Sequence, residues 1–319
     1  MSHPLAAKFQ FIKSIRQFFD EQGFLDVLTP IAVENPGMEP HIHPFALYSI
    51  KDNKLTHEYL HTSPEFYMKK LLSEGMEKIY TLNYCFRDEP NSPIHRNQFL
   101  MLEWYRAFEH YDKIMSDTQE LIQYQLNFLK EKNGQFDQTL INAKFQKATV
   151  NELFLEYANI NILDYPDRLE LRKFIEKDFS HIPLPPQNEE LSWDDCFFLL
   201  FLNLIEPQLE KIPFLLLFEY PKQLSALSTI KESDPRVCER FEIYIKGVEI
   251  ANCFNELTDL KEQQLRFKEQ AQVKTDLYNY TLPSPTVLYN ALEKGLPKSS
   301  GIALGVERLY QSLSLLPGF

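Results

Sequence analysis

The sequence predicts a mixed α and β fold, and three observations carry that expectation. Apolar residues recur at helical spacing near the start, in residues 5–22. Residues 78–86 and 99–108 read as two strands joined by a polar loop, with charge placed where a sheet normally buries apolar side chains. Strand character returns at residues 213–220 and 240–257, after a long helical block.

The elements follow in order. In residues 5–22, Phe11, Ile12, Ile15, Phe18 and Phe19 form one helical stripe, and Gly23 stops it. Residues 64–74 form a short helix with Pro64 near its start, where a missing N–H costs little. In the strands that follow, Arg87 and Glu89 share one face, and Phe99, Met101, Glu103 and Tyr105 share another. A helix over 113–132 carries Ile114, Leu121, Ile122 and Leu129. Residues 133–212 read as mixed helices with turns at Tyr165-Pro166 and at Pro183-Leu184-Pro185-Pro186. This block separates two motif groups, so it is expected as an insertion. Helices over 259–272 and 285–294 close the pattern, the second with Ser284 as N-cap and Pro285 at its first position. No repeats are evident.

At 319 residues, with 44% apolar and 24% charged residues, the composition is that of a soluble globular protein. Its net charge of −12 argues against tRNA as a partner, because phosphate neutralisation dominates nucleic-acid affinity, although charges can segregate into a basic patch. Cys85, Cys196, Cys238 and Cys253 lack disulfide or zinc spacing and are expected as buried thiols of a cytoplasmic protein. No signal peptide is apparent, and the apolar run at 196–205 contains Asn203 and is too short to span a bilayer.

The chemistry-bearing residues concentrate in two segments. Cys85-Phe86-Arg87-Asp88-Glu89 and His95-Arg96-Asn97-Gln98-Phe99 would gather an arginine and carboxylates beside an aromatic surface. That suits a polyanion carrying a flat base, with phosphate on Arg87 and the base on Phe99. Alone, the segment is better read as an amphipathic hairpin with a salt-bridged solvent face. The second segment, Ser299-Ser300-Gly301-Ile302-Ala303-Leu304-Gly305-Val306-Glu307-Arg308, alternates small and apolar residues before a helix that carries Arg308. Its Gly-x-x-x-Gly is by itself an ordinary packing pair.

Together the two segments resemble motifs two and three of the class II aminoacyl-tRNA synthetases. Gly23-Phe24-Leu25-Asp26-Val27-Leu28-Thr29-Pro30 resembles motif one. Thr62-Ser63-Pro64-Glu65, and the run from Phe241 through Glu249 and Glu256 to Leu257, are similar to the amino-acid turn and the segment before motif three of lysyl-tRNA synthetases. The resemblance covers about residues 8–312. It implies an α+β class II catalytic fold, an antiparallel sheet flanked by helices. A single domain over 1–319 is expected, with a mainly helical insertion at about 133–212 and no anticodon-binding domain. That missing barrel, and Ala303 in place of a glycine, resemble the truncated paralogues that attach (R)-β-lysine to elongation factor P.

The resemblance also implies roles. The reaction is adenylation by ATP with Mg²⁺, and Arg87 is the catalytic residue on the α-phosphate. Arg87, Asp88, Glu89, His95, Arg96, Phe99, Glu249, Ile250, Gly305 and Arg308 would bind ATP, with Arg308 on its γ-phosphate and Phe99 under the adenine. Ser63, Pro64, Glu65, Tyr105, Glu256 and Ala303 would bind (R)-β-lysine or lysine. Glu249 and Glu256 would hold the metal. Their odd separation needs a bulge, expected near Asn252-Cys253. One methyl at Ala303 can alter amino-acid selection by roughly 1–3 kcal/mol.

Several residues depart from the family pattern. Arg96 stands where an asparagine contacts ATP, Gln98 replaces a glutamate, Leu28 replaces a glutamate before Thr-Pro, and Cys253 replaces a glycine. A lysine–tRNA ligase and a non-catalytic binding paralogue are the alternatives. A homodimer is expected through residues 5–30, because Phe11, Ile15, Phe18 and Phe19 exceed what one helix face needs, with ordinary core packing as the rival explanation.

Overall fold

The computed structural model describes residues 4–90, 96–132, 136–179, 182 and 191–315. The first elements in chain order are α1 (Pro4–Glu21), β1 (Leu25–Asp26), β2 (Ala32–Val33), β3 (Ala46–Ser49) and β4 (Lys54–Leu60). Next come α2 (Glu65–Ser73), β5 (Lys78–Phe86), β6 (Gln98–Ala107) and α3 (Tyr111–Glu131). A middle group holds β7 (Phe145–Thr149), α4 (Val150–Ala158), α5 (Arg168–Asp178), α6 (Trp193–Leu200), α7 (Glu206–Leu209), β8 (Phe214–Pro221), β9 (Val237–Ile245) and β10 (Val248–Asn255). The chain ends with α8 (Leu260–Tyr278), α9 (Thr286–Lys294), β11 (Ser299–Gly305) and α10 (Val306–Leu313). The residues group into two compact units, Met1–Ile141 with Asn255–Phe319, and Asn142–Phe254.

In the first unit the strand order is β1-β5-β6-β11, antiparallel except for β1, which runs parallel to β5 at the edge. Alternation divides the sheet into two faces. Tyr80, Leu82, Leu102, Trp104, Ile302 and Leu304 are buried on one of them. There Phe19 of α1 stacks on Tyr80 at 4.7 Å and meets Trp104 at 5.2 Å, and Phe11 meets Tyr310 of α10 at 5.0 Å. The other face carries Phe99, Met101, Glu103 and Tyr105. Register sets Glu103 opposite Thr81 and Ala303, and Tyr105 opposite Ile79 and Gly301. A small sheet, β2-β4-β3, leads directly into the Thr62-Ser63 turn.

Core packing accounts for the α1 stripe. Phe11, Ile15, Phe18 and Phe19 are all buried within their own unit, so they cannot supply the expected dimer contact. The exposed apolar side chains of that segment are instead Phe9, Leu25, Leu28 and Ile31.

The second unit has strand order β10-β9-β8-β7, with β7 and β8 parallel. Helices α4 and α6 open with capping boxes, Thr149 with Glu152 and Ser192 with Asp195. Phe154, Trp193, Phe197 and Phe201 interleave in its core. The turn expected at Pro183–Pro186 lies outside the described residues.

Two boundaries differ from the sequence reading. Residues 240–257 are not one strand but two, reversed at Lys246 and Gly247, both at positive φ. Helix α8 runs on to Tyr278 rather than stopping near 272, because its buried positions include the polar Gln263 and Lys274, which hide the stripe, and the left-handed Asn279 ends it. Pro285, rather than Ser284, is the N-cap of α9.

Candidate active site

The polar face of the first sheet holds three carboxylates out of water. Glu103 projects from β6, Glu256 follows β10, and Glu65 begins α2, whose Lys69 lies one turn later. Lys69 Nζ is 2.7 Å from Glu65 Oε1 and 2.6 Å from Glu256 Oε2, with only 1% of its side chain exposed. Ser63 Oγ donates to Glu103 Oε1 at 2.6 Å and accepts from Glu65 N at 3.1 Å, so it both starts the helix and orients the acid. Tyr105 OH donates to Glu103 Oε2 at 3.1 Å. Burial pushes Glu103 up to about 8, and the charges of Glu65 and Glu256 push the same way. Burial also pushes Glu256 up to about 8, which Lys69 only partly offsets. Glu65 is raised for the same reason. Burial would lower Lys69, but Glu256 and Glu65 outweigh it and hold the ammonium charged. Glu65 and Glu256 thus share one lysine, whereas Glu103 is held by two hydroxyls.

Gly301 is required here by space. A Cβ on it would lie 2.0 Å from Tyr105 Cε1 and 2.7 Å from Glu256 Oε1. Gly301→Ala is therefore expected to displace both groups, costing about 1–3 kcal/mol in stability and weakening binding of a cationic amino acid more than tenfold. Titration calorimetry checks this, and affinity within twofold of the parent contradicts it. Ala303, two residues along the same face, lies directly opposite Glu103 in the register.

Toward the other end of β6 lie the residues expected to hold a nucleotide. The Arg87 guanidinium sits over the Phe99 ring, 5.1 Å from its centroid, and its buried Nε has no hydrogen-bond partner. Asn97 Nδ2 donates to the carbonyls of Arg87 (3.0 Å) and Glu89 (2.9 Å), and Arg87 N donates to Asn97 O, closing the loop. Asp88 is exposed, with its N donating to His43 O at 2.7 Å. Glu307 accepts from Leu100 N with both oxygens at 2.9 Å, so the first turn of α10, with Gly305 at its N-cap and Arg308, is clamped beside Phe99. Arg96 is exposed, and its charge favours the ionised form of Glu307. His95 lies outside the described residues.

Glu249 and Ile250 belong to the second unit. The strand register shifts between Glu249 and Ala251, so the expected bulge occurs at Ile250, earlier than Asn252-Cys253. It sets Glu249 opposite Tyr244 and Asn252 opposite Glu242, on one face. Glu242 is engaged there by Arg240 and by the hydroxyls of Tyr220 and Tyr244. Glu256, expected as a second metal ligand, has its Oε2 2.6 Å from the ammonium of Lys69. Among the described residues no group of three His, Cys, Asp or Glu side chains could hold a metal, and no helix is long and apolar enough to cross a membrane. All four cysteines are buried, and none forms a disulfide.

The sequence reading missed Lys69 as a site residue and left Glu103 without a role. The signal for Glu103 was a carboxylate amid Met101, Leu102, Trp104 and Tyr105. Lys69, beside Lys70 on a short helix, resembles a solvated lysine, and only the fold reveals its burial.

The polar sheet face, the serine-started helix beside it and the arginine over Phe99 are the parts of an amino-acid-activating domain, and the chain belongs to the class II tRNA synthetases (D, K and N), whose family model matches residues 1–316. Among similar curated proteins are three named elongation factor P–(R)-β-lysine ligase. That of Proteus mirabilis is 36% identical, over 96% of this chain and 89% of the relative. That of Histophilus somni is 34% identical over 96% and 89%. That of Edwardsiella ictaluri is 34% identical over 93% and 87%.

Proposed function

We propose that the protein is an AMP-forming ligase that activates (R)-β-lysine with ATP and transfers it to a lysine side chain of elongation factor P. The observation that carries this reading is the charge of the pocket: of three closely set carboxylates, Glu65 and Glu256 pair with Lys69, and Glu103 has only hydroxyl partners among the described residues. Buried carboxylates without counter-ions are costly. A substrate with two ammonium groups would supply the missing charge. The names of the relatives point to the same substrate and acceptor.

In the reaction the substrate carboxylate attacks the α-phosphorus of ATP and pyrophosphate leaves. The acceptor amine then attacks the carbonyl carbon, forming an amide and releasing AMP. Arg87 stabilises charge on the α-phosphate, Phe99 supports the adenine, and Arg308 holds the γ-phosphate. Ser63, Glu65, Glu103, Tyr105 and Glu256 hold the ammonium groups, and the Ala303 methyl trims the pocket for the β-isomer. Mg²⁺, when bound, neutralises phosphate charge. It keeps much of its water and needs few carboxylates, so Glu249 fits as its ligand, whereas Glu256, paired with Lys69, does not.

Incubation with labelled β-lysine, ATP and either elongation factor P or tRNA tests the assignment. Label is expected on the protein, and label on tRNA alone contradicts it. The protein is further proposed to work in the cytoplasm as a homodimer through the exposed Phe9, Leu25, Leu28 and Ile31. Sedimentation at micromolar concentration should show a dimer, and a monomer throughout contradicts this.

A further inference from the structure

We infer that Glu39 binds the substrate ammonium group nearest the reacting carboxylate, and so makes the pocket require an amine there. The inference rests on the amino-acid activation proposed above and names a residue outside the family motifs. Glu39 and Glu65 line one hollow, together with Gly37, Thr62 and Ser63. Glu65 is engaged by Lys69, whereas the Glu39 carboxylate makes no hydrogen bond or ion pair among the described residues. The hollow therefore contains one acid that shares a lysine with Glu256 and one that no described side chain engages.

The loop that carries Glu39 is held on both sides. Thr62 Oγ1 donates to Pro36 O at 2.6 Å, and Gly37 N donates to Asn35 Oδ1 at 3.0 Å. A side chain at Gly37 would lie 2.8 Å from Glu39 Oε2, so the carboxylate folds back closely over that glycine. On the far side, Lys274 of α8 donates to Ile42 O at 2.7 Å and to Tyr280 OH at 3.1 Å, and Tyr280 OH lies 2.8 Å from His43 Nδ1. Lys274 is 2% exposed and has no carboxylate within ion-pair distance among the described residues. Burial lowers its pKa, and the charge of Glu39 only partly offsets that. The hydrogen bonds of Lys274 to Ile42 O and Tyr280 OH hold the loop against α8.

Position along β6 says which amine Glu39 meets. Strand residues rise about 3.4 Å each, so Glu103 lies roughly 13 Å from Phe99, and Tyr105 roughly 20 Å. The reacting carboxylate must lie toward Arg87 and Phe99, and Tyr105 with Glu256 marks the distal end. Ser63 bonds Glu103, which lies on the Phe99 side of Tyr105. An acid sharing the hollow of Ser63 therefore lies nearer the carboxylate than Tyr105 does, on the side of the amine beside it.

Titration calorimetry with purified protein tests this, using (R)-β-lysine and 6-aminohexanoate, which lacks only the β-amine. Glu39→Gln should weaken β-lysine binding at least tenfold and leave 6-aminohexanoate within twofold, with Glu39→Asp restoring part of the loss. Equal weakening of both ligands, or no change in either, overturns the assignment of Glu39 alone. A parent protein that binds neither ligand overturns it together with the proposed activity.

Discussion

Arg87→Ala is expected to abolish adenylate formation while leaving the fold intact. Arg87 is half-buried at the end of β5, stacked over Phe99, with a buried Nε that no protein group satisfies. It makes no ion pair among the described residues, so its removal leaves no opposite charge stranded. In the proposed reaction its guanidinium stabilises the negative charge that develops on the phosphate under attack. Losing one such contact costs about 10²–10³-fold in rate. Pyrophosphate exchange should fall by at least that factor, with an unchanged thermal midpoint. Near-normal exchange would withdraw Arg87 from the α-phosphate, and with it the nucleotide half of the site.

Lys69→Met should have the largest effect on stability. The lysine lies between two carboxylates with almost no exposure, and methionine keeps the length of the side chain but not its charge. Removing one partner of a buried ion pair costs about 3–5 kcal/mol, which for a chain of this size lowers the melting midpoint by roughly 10 °C. Glu65 and Glu256 would escape part of that cost by taking up protons, and protonated acids no longer attract an ammonium group. Substrate affinity should therefore fall as well. A midpoint within 2 °C of the parent would show that the three groups do not depend on one another as their geometry indicates.

These two residues were not equally visible in the sequence. Phe99 and Tyr105 lie on β6, where alternation assigns faces from sequence alone, Arg87 directly follows β5, and both strands form as expected to within a residue. Glu256 was placed in the pocket, but its partner was not. Lys69 sits in Met68-Lys69-Lys70-Leu71, where either lysine could be the exposed one. The fold buries Lys69 and exposes Lys70. The need for a bulge between Glu249 and Glu256 followed from counting residues, but its position at Ile250 did not, because bulges are fixed by the partner strand. Glu39 sits in a loop without periodicity, and the hollow it shares with Ser63 exists only after residues 36–43 fold against α8.

ATP–pyrophosphate exchange, with the lysine isomers supplied one at a time, tests the central claim most directly. It reads activation alone, independent of any acceptor. Exchange that depends on (R)-β-lysine and exceeds that with α-lysine is the predicted result. No exchange with either isomer, from protein that is folded and binds ATP, would contradict the account and leave a binding module in place of a ligase.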